Sequence, residues 1–242
     1  MTPRALLVDF GGTLDAPRHW LDRFVEHYRA AGIEIERAAL DPAYSYATAA
    51  GYQRWRELEQ YGLDDLVGFL LGIQLERLAE SVDRKLLTSL GASSGARQEL
   101  ARMIRLRFVE ESRTGMERSR EVIRALHDRY RIGVVSNFYG NLRAVLDEAG
   151  MAGLIDAAVD SSAAGVFKPD AGIFMIALRA LGVTGAEAAM VGDSLEKDCA
   201  PAHRLGMRTV WFKWADAAQA ELEGTPPDYI IRALAELNNL TW

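Results

Sequence analysis

Apolar residues fall into two rhythms along the chain. Ala5, Leu6, Leu7 and Val8 form a short continuous run that meets Asp9 and Phe10 and stops at Gly11-Gly12. Such a run reads as a strand buried on both faces, with Asp9 at its carboxyl end. From Ala16 to about Arg113 the spacing turns helical. Pro17 suits a first helical turn, and Trp20, Phe24 and Tyr28 follow at intervals of four before Gly32. Asp41-Pro42 has the look of a cap and first turn opening a second helix. Leu63 to Ala79 and Ala96 to Val109 continue the helical period, and Gly115 predicts a break.

Beyond Gly115 strands and helices alternate. Helices are expected over Ser119–Tyr130, Leu142–Ala149, Ile173–Leu181 and Ala200–Leu205, with a last one within Asp228–Leu237 after a short strand turn. Strands are expected over Arg131–Asn137, Ile155–Val159, Ala188–Val191 and Arg208–Phe212. This alternation predicts an α/β, Rossmann-like three-layer core with a central parallel sheet, plus an inserted all-helical cap. The expected division is 1–15 with 116–242 for the core and 16–115 for the cap. Ligands of such sheets bind outside the carboxyl ends of the strands, at a switch in strand order. Asp9, Ser136 and Asp193 each stand at such an end, and Lys168 lies in a loop after another.

Composition narrows the class. The chain has 242 residues, 49% hydrophobic and 26% charged, with a formal net charge of -6. That balance fits a globular protein with a sizeable core and speaks against a nucleic-acid partner. A single cysteine, Cys199, rules out an internal disulfide and fits a reducing compartment. The opening MTPRALLVDFGG is too soon interrupted to be a signal peptide, and no apolar run approaches the length of a membrane span. A cytoplasmic protein, monomer or homodimer, is expected.

The polar residues at the strand ends carry the chemistry. A carboxylate followed by Gly-Gly-Thr suits attack on phosphorus, because glycines let backbone N–H groups approach a phosphate. Asp193 and Asp198 offer hard oxygen ligands of the kind Mg2+ takes. Lys168 can neutralise phosphate charge, and Ser136 can donate to a phosphoryl oxygen.

Four segments in order, Asp9-Phe10-Gly11-Gly12-Thr13-Leu14, Val134-Val135-Ser136-Asn137, Lys168-Pro169-Asp170 and Val191-Gly192-Asp193-Ser194 with Asp198, resemble the four motifs of the haloacid dehalogenase superfamily. The resemblance covers the core, and 16–115 is similar to the cap many members insert after the first motif. It implies a hydrolase acting on a small phosphorylated metabolite through an aspartyl-phosphate. Asp9 would be the nucleophile, with Ser136 and Lys168 catalytic beside it. Gly12, Thr13 and Asn137 would bind substrate. Mg2+ would be held by Asp9, the carbonyl of Gly11, Asp193 and Asp198.

One position departs from the pattern. Phosphatases of this family usually carry a second Asp two residues after the nucleophile, as proton donor and acceptor; here that residue is Gly11. General acid–base help is worth about 10²–10⁴ in rate. Three readings stay open: another group such as Asp15, His19 or the substrate moves the proton; the enzyme is restricted to good leaving groups; or it binds metal and phosphate with little turnover. A metal-independent dehalogenase is the rival chemistry, and Asp193 with Asp198 weighs against it. The phosphonate-cleaving branch uses a cap lysine, here only Lys85, and nothing around it suggests that role.

Other features have blander readings. Asp198 could cap the helix near Ala200. Thr13 could bond backbone. Asp15 and His19 read as surface residues of the hinge. Tyr44, Tyr46, Tyr52, Trp55 and Tyr61 read as cap core, Arg97, Arg102, Arg105 and Arg107 as the wet face of a helix, and Trp211 and Trp214 as packing or surface residues.

Overall fold

The computed structural model describes residues 2–80, 94–214 and 226–242. Lys85 lies outside the described residues. Six parallel strands build one sheet in the order β3-β2-β1-β4-β5-β6: β1 Ala5–Val8, β2 Arg131–Ser136, β3 Ala157–Asp160, β4 Ala188–Gly192, β5 Arg208–Phe212 and β6 Tyr229–Ile231. β1 pairs with β2 on one side and β4 on the other, Val8 standing opposite both Val134 and Val191. The chain order therefore reverses direction across β1, and the strand-end residues meet at that switch. β1 and β4 are buried at every position, as strands covered by helices on both faces must be.

Helices α1 (Trp20–Ala30), α2 (Arg37–Gln53), α3 (Trp55–Leu58) and α4 (Leu63–Ala79) follow β1 and pack with α5 (Ser94–His127) into a helical half. The rest of the chain supplies α6 (Leu142–Glu148), α7 (Ser161–Ala164), α8 (Ala171–Leu181) and α9 (Ala200–Arg204) around the sheet. This is the expected α/β architecture. Among the described residues no helix is long and apolar enough to cross a membrane.

Two expected boundaries are corrected. Asp41-Pro42 does not open α2; the helix starts at Arg37 and carries Pro42 in its second turn. The buried stripe Leu40, Ala43, Ala47 and Gly51 explains this, since its first member precedes the proline and is fully buried. Packing outweighs the single backbone bond that Pro42 forgoes. Gly115 does not break the chain into two helices either. It lies inside α5, one helix of 34 residues that runs on past it to His127. A Cβ there would overlap the carbonyl of Asp15, so this glycine serves close approach of helix and loop.

Candidate active site

The site assembles from strand ends. Asp9 follows β1, Ser136 ends β2, and Lys168 precedes α8. Asp193 follows β4, and Asp198 sits in the turn Leu195–Cys199. Asp9 Oδ1 accepts from Ser136 Oγ at 3.0 Å and from Lys168 Nζ at 2.6 Å. Its Oδ2 has only Thr13 Oγ1 at 3.5 Å, beyond good hydrogen-bond length. One oxygen of Asp9 is thus fixed by donors while the other keeps a lone pair free. Lys168 Nζ also donates to Asp198 Oδ1 at 2.6 Å.

Carboxylate oxygens of Asp9, Asp193 and Asp198 lie within 4.8 Å of one another. Burial, then the charges of Asp9 and Asp198, push the Asp193 carboxyl well above its usual range. Asp198 is pushed up to about 6 by burial, Lys168 working the other way. Burial opposes the charge of Lys168, but Asp198 and Asp9 outweigh it and hold the ammonium above its ordinary range. Three carboxylates meet beside one ammonium, which bonds two of them, Asp9 and Asp198, and the excess of negative charge is of the kind a divalent cation balances. Hard oxygen donors in that number fit Mg2+.

The neighbouring residues take more varied places. Gly12 has φ +82, and a Cβ there would overlap the Asp193 carboxylate, so only glycine lets the two loops close on each other. Its N–H donates to Asp15 Oδ1 at 2.8 Å, a bond internal to the loop. Asn137 grips the backbone of Lys168 from both amide atoms, accepting from its N–H at 2.7 Å and donating to its carbonyl at 3.0 Å. Its side chain is thereby spent on positioning the Lys168 backbone. Asp198 makes no cap bond to α9; it accepts from Lys168 and from the Ser194 N–H at 3.1 Å.

Asp15 is not at the surface. It is fully buried and accepts from Gly12, from the Ala16 N–H at 2.8 Å, from Trp20 Nε1 at 2.7 Å and from Arg23 Nη1 at 2.6 Å. Those donors remove it from proton transfer. Trp20, so fixed, stands 3.4 Å from where a Cβ on Gly11 would be. The place of the missing acid is walled by indole.

His19, also expected at the surface, is half-buried and lines the same cavity, about 760 Å³, as Asp9 and Lys168. Its Nδ1 accepts from the Leu21 N–H at 3.2 Å, capping α1. Two of the five cap aromatics, Tyr44 and Tyr52, line this cavity with Tyr139, whereas Tyr46 is 57% exposed. Trp211, with no site role read from sequence, is buried and donates from Nε1 to the Asp193 carbonyl at 2.9 Å.

Residues 3–206 match the model of a family described as haloacid dehalogenase-like hydrolase. The chain belongs to the haloacid dehalogenase-like hydrolases. A phosphoserine phosphatase of Thermus thermophilus is 30% identical over 215 residues, 86% of this chain and 80% of that one. A glyceraldehyde 3-phosphate phosphatase of Pyrococcus furiosus is 46% identical over 74 residues, only 30% of this chain and 31% of that one. The match to a haloacid dehalogenase-like hydrolase domain-containing protein 3 of Danio rerio, 36% identical, likewise spans 43% of each chain. Among solved structures a dehalogenase superposes with a TM-score of 0.62 at 18% identity, covering 98% of this chain and 96% of its own. A magnesium-bound haloacid dehalogenase-like hydrolase of Bacillus subtilis gives 0.59 at 19% identity, with 99% and 98% covered. At such identities the likeness concerns the fold.

Proposed function

We propose that this haloacid dehalogenase-like hydrolase is a Mg2+-dependent phosphatase of small phosphorylated metabolites. The observation that carries the reading is the meeting of the Asp9, Asp193 and Asp198 carboxylates, with one lysine bonded to two of them. Asp9, Asp193, Asp198 and the carbonyl of Gly11 would hold the ion. When bound, it would neutralise negative charge on the phosphate and the carboxylates. The core would be residues 1–15 and 116–242, with 16–115 as the cap that closes the cavity.

Asp9, oriented by Ser136 and Lys168, attacks phosphorus; the bond to the leaving oxygen breaks and an aspartyl-phosphate forms. Water then attacks this mixed anhydride, releasing phosphate and restoring the carboxylate. Ser136 and Lys168 hold the phosphoryl oxygens through both steps, Thr13 flanks Asp9, and Asn137 keeps Lys168 in place. With indole beside Gly11 and Asp15 engaged by four donor residues, neither position supplies an acid for the departing oxygen. Turnover is therefore fastest with leaving groups that depart as stable anions or carry their own proton donor.

Asp9→Asn is expected to lower kcat on an aryl phosphate by at least about 10³-fold with the fold intact by circular dichroism. Chelation should abolish the wild-type rate and Mg2+ restore it. Metal-independent halide release from a 2-haloacid, with no phosphatase activity, would establish the dehalogenase reading instead.

A further inference from the structure

One of the three cations lining the cavity is left over by the phosphate chemistry. Lys168 is neutralised by two aspartates and Arg37 pairs with Asp22 at 2.7 Å. Lys197, in the turn between Asp193 and Asp198, lines the cavity and has no ion-pair partner among the described residues. His19, Trp20 and Leu21, at the start of α1, line the same space. The N-terminus of that eleven-residue helix adds the positive end of its dipole. His19 contributes a donor: its Nδ1 receives a backbone N–H, so the hydrogen of the neutral ring resides on Nε2. Burial, opposed by the field of Asp22 and aided by those of Lys197 and Arg37, keeps this imidazole below its ordinary pKa, and both cations are within electrostatic reach of it.

We infer that Lys197, with His19 and the start of α1, forms a subsite for a second anionic group on the substrate, a carboxylate or a second phosphate borne by the leaving group. The inference rests on the phosphatase reading for its reaction but not for its binding. The acidic floor takes the transferring phosphoryl with Mg2+, and the outer ammonium takes the far end of the molecule. Asp41, which also lines the cavity, accepts from Ser45 Oγ at 3.0 Å and forms no ion pair with Lys197, so Lys197 is the cation left without a partner among the described residues. A second anion also selects for orientation, because only one end of the substrate meets the acidic floor.

The test compares propyl phosphate with its terminal carboxylate and terminal phosphate analogues, using the full chain with Mg2+. The three share one leaving oxygen. The wild type is expected to favour one or both charged analogues by about tenfold or more in kcat/KM, the size of one charge-assisted contact. The two charged arms identify which anion is taken. Lys197→Met should collapse that ratio toward one, Lys197→Glu should invert it, and added salt should erode it because the lysine is exposed. A wild-type ratio near one, or a ratio untouched in Lys197→Met, overturns the inference. Calorimetry with propylphosphonate and its carboxylate analogue supplies a readout without turnover. Preference there with no hydrolysis of any ester keeps the subsite and removes the phosphatase; hydrolysis without preference does the reverse.

Discussion

Asn137 and Asp15 mark what residue type can and cannot tell. Asp9, Ser136, Lys168, Asp193 and Asp198 were legible because each follows a buried strand or sits in a loop beside one, and a parallel sheet brings those ends together. Asn137, adjacent to Ser136, turns instead to the Lys168 backbone. Asp15 and Arg23 gave no hint of pairing, because the groups that complete the buried guanidinium's bonds, Ser112 and the Phe108 carbonyl, come from a helix about 90 residues away. Long-range satisfaction of a buried charge leaves no local pattern. The absent acid at Gly11 yields a prediction at this scale. An added Cβ makes ordinary contact with Trp20, so Gly11→Asp is expected to fold. It should raise kcat on an alkyl phosphate by about tenfold or more while changing an aryl phosphate less, since only the poorer leaving group needs the proton. Equal gains on both esters, or none, would show that proton donation is not what limits the enzyme.

The elements were largely readable, and the exceptions share a cause. Strands of four to six residues were found because continuous apolar runs ending in glycine or a polar residue have few other readings. Pro42 and Gly115 misled because each is a breaker by local propensity and neither breaks its helix. The buried stripe of α2 carries it through Pro42, and the close crossing of Asp15 requires that α5 have no side chain at residue 115. Gly115→Ala supplies the check. Helix propensity alone favours alanine by about 1 kcal/mol, but overlap with the Asp15 carbonyl forces the loop and helix apart. A net loss of about 1–3 kcal/mol in urea unfolding is expected, the usual size of overpacking. A stabilised variant would mean that the crossing is loose.

Across the larger molecule, the helical half is held by charge as well as by packing where α1 meets α5. Glu111 on α5 pairs with Arg18 Nη2 at 2.8 Å, Arg23 Nε at 3.2 Å and His27 Nε2 at 2.8 Å. Burial acts against its ionisation, but the His27 bond and the two guanidiniums prevail and hold its carboxyl below the ordinary value of 4.5. A pKa depressed on folding adds stability above the unfolded value and loses it as pH falls through the folded one. Stability should therefore decline as pH drops below about 4.5, where the unfolded chain takes up the proton. Glu111→Gln should lower the urea midpoint at pH 7 and flatten the acid limb of midpoint against pH. A limb of unchanged slope would assign acid sensitivity to other carboxylates.

The unbroken course of α5 also constrains how the molecule can move. At 34 residues and 1.5 Å per residue it is a rod about 50 Å long. Of the two covalent links between the halves, the return link is this rod, and only the outgoing stretch between Asp9 and Trp20 lacks regular structure. Were 16–115 to swing over the cavity, the bend would fall on that outgoing stretch, against the bonds that pin Asp15, while the rod turned as a single piece, like a door leaf fixed to its own axle.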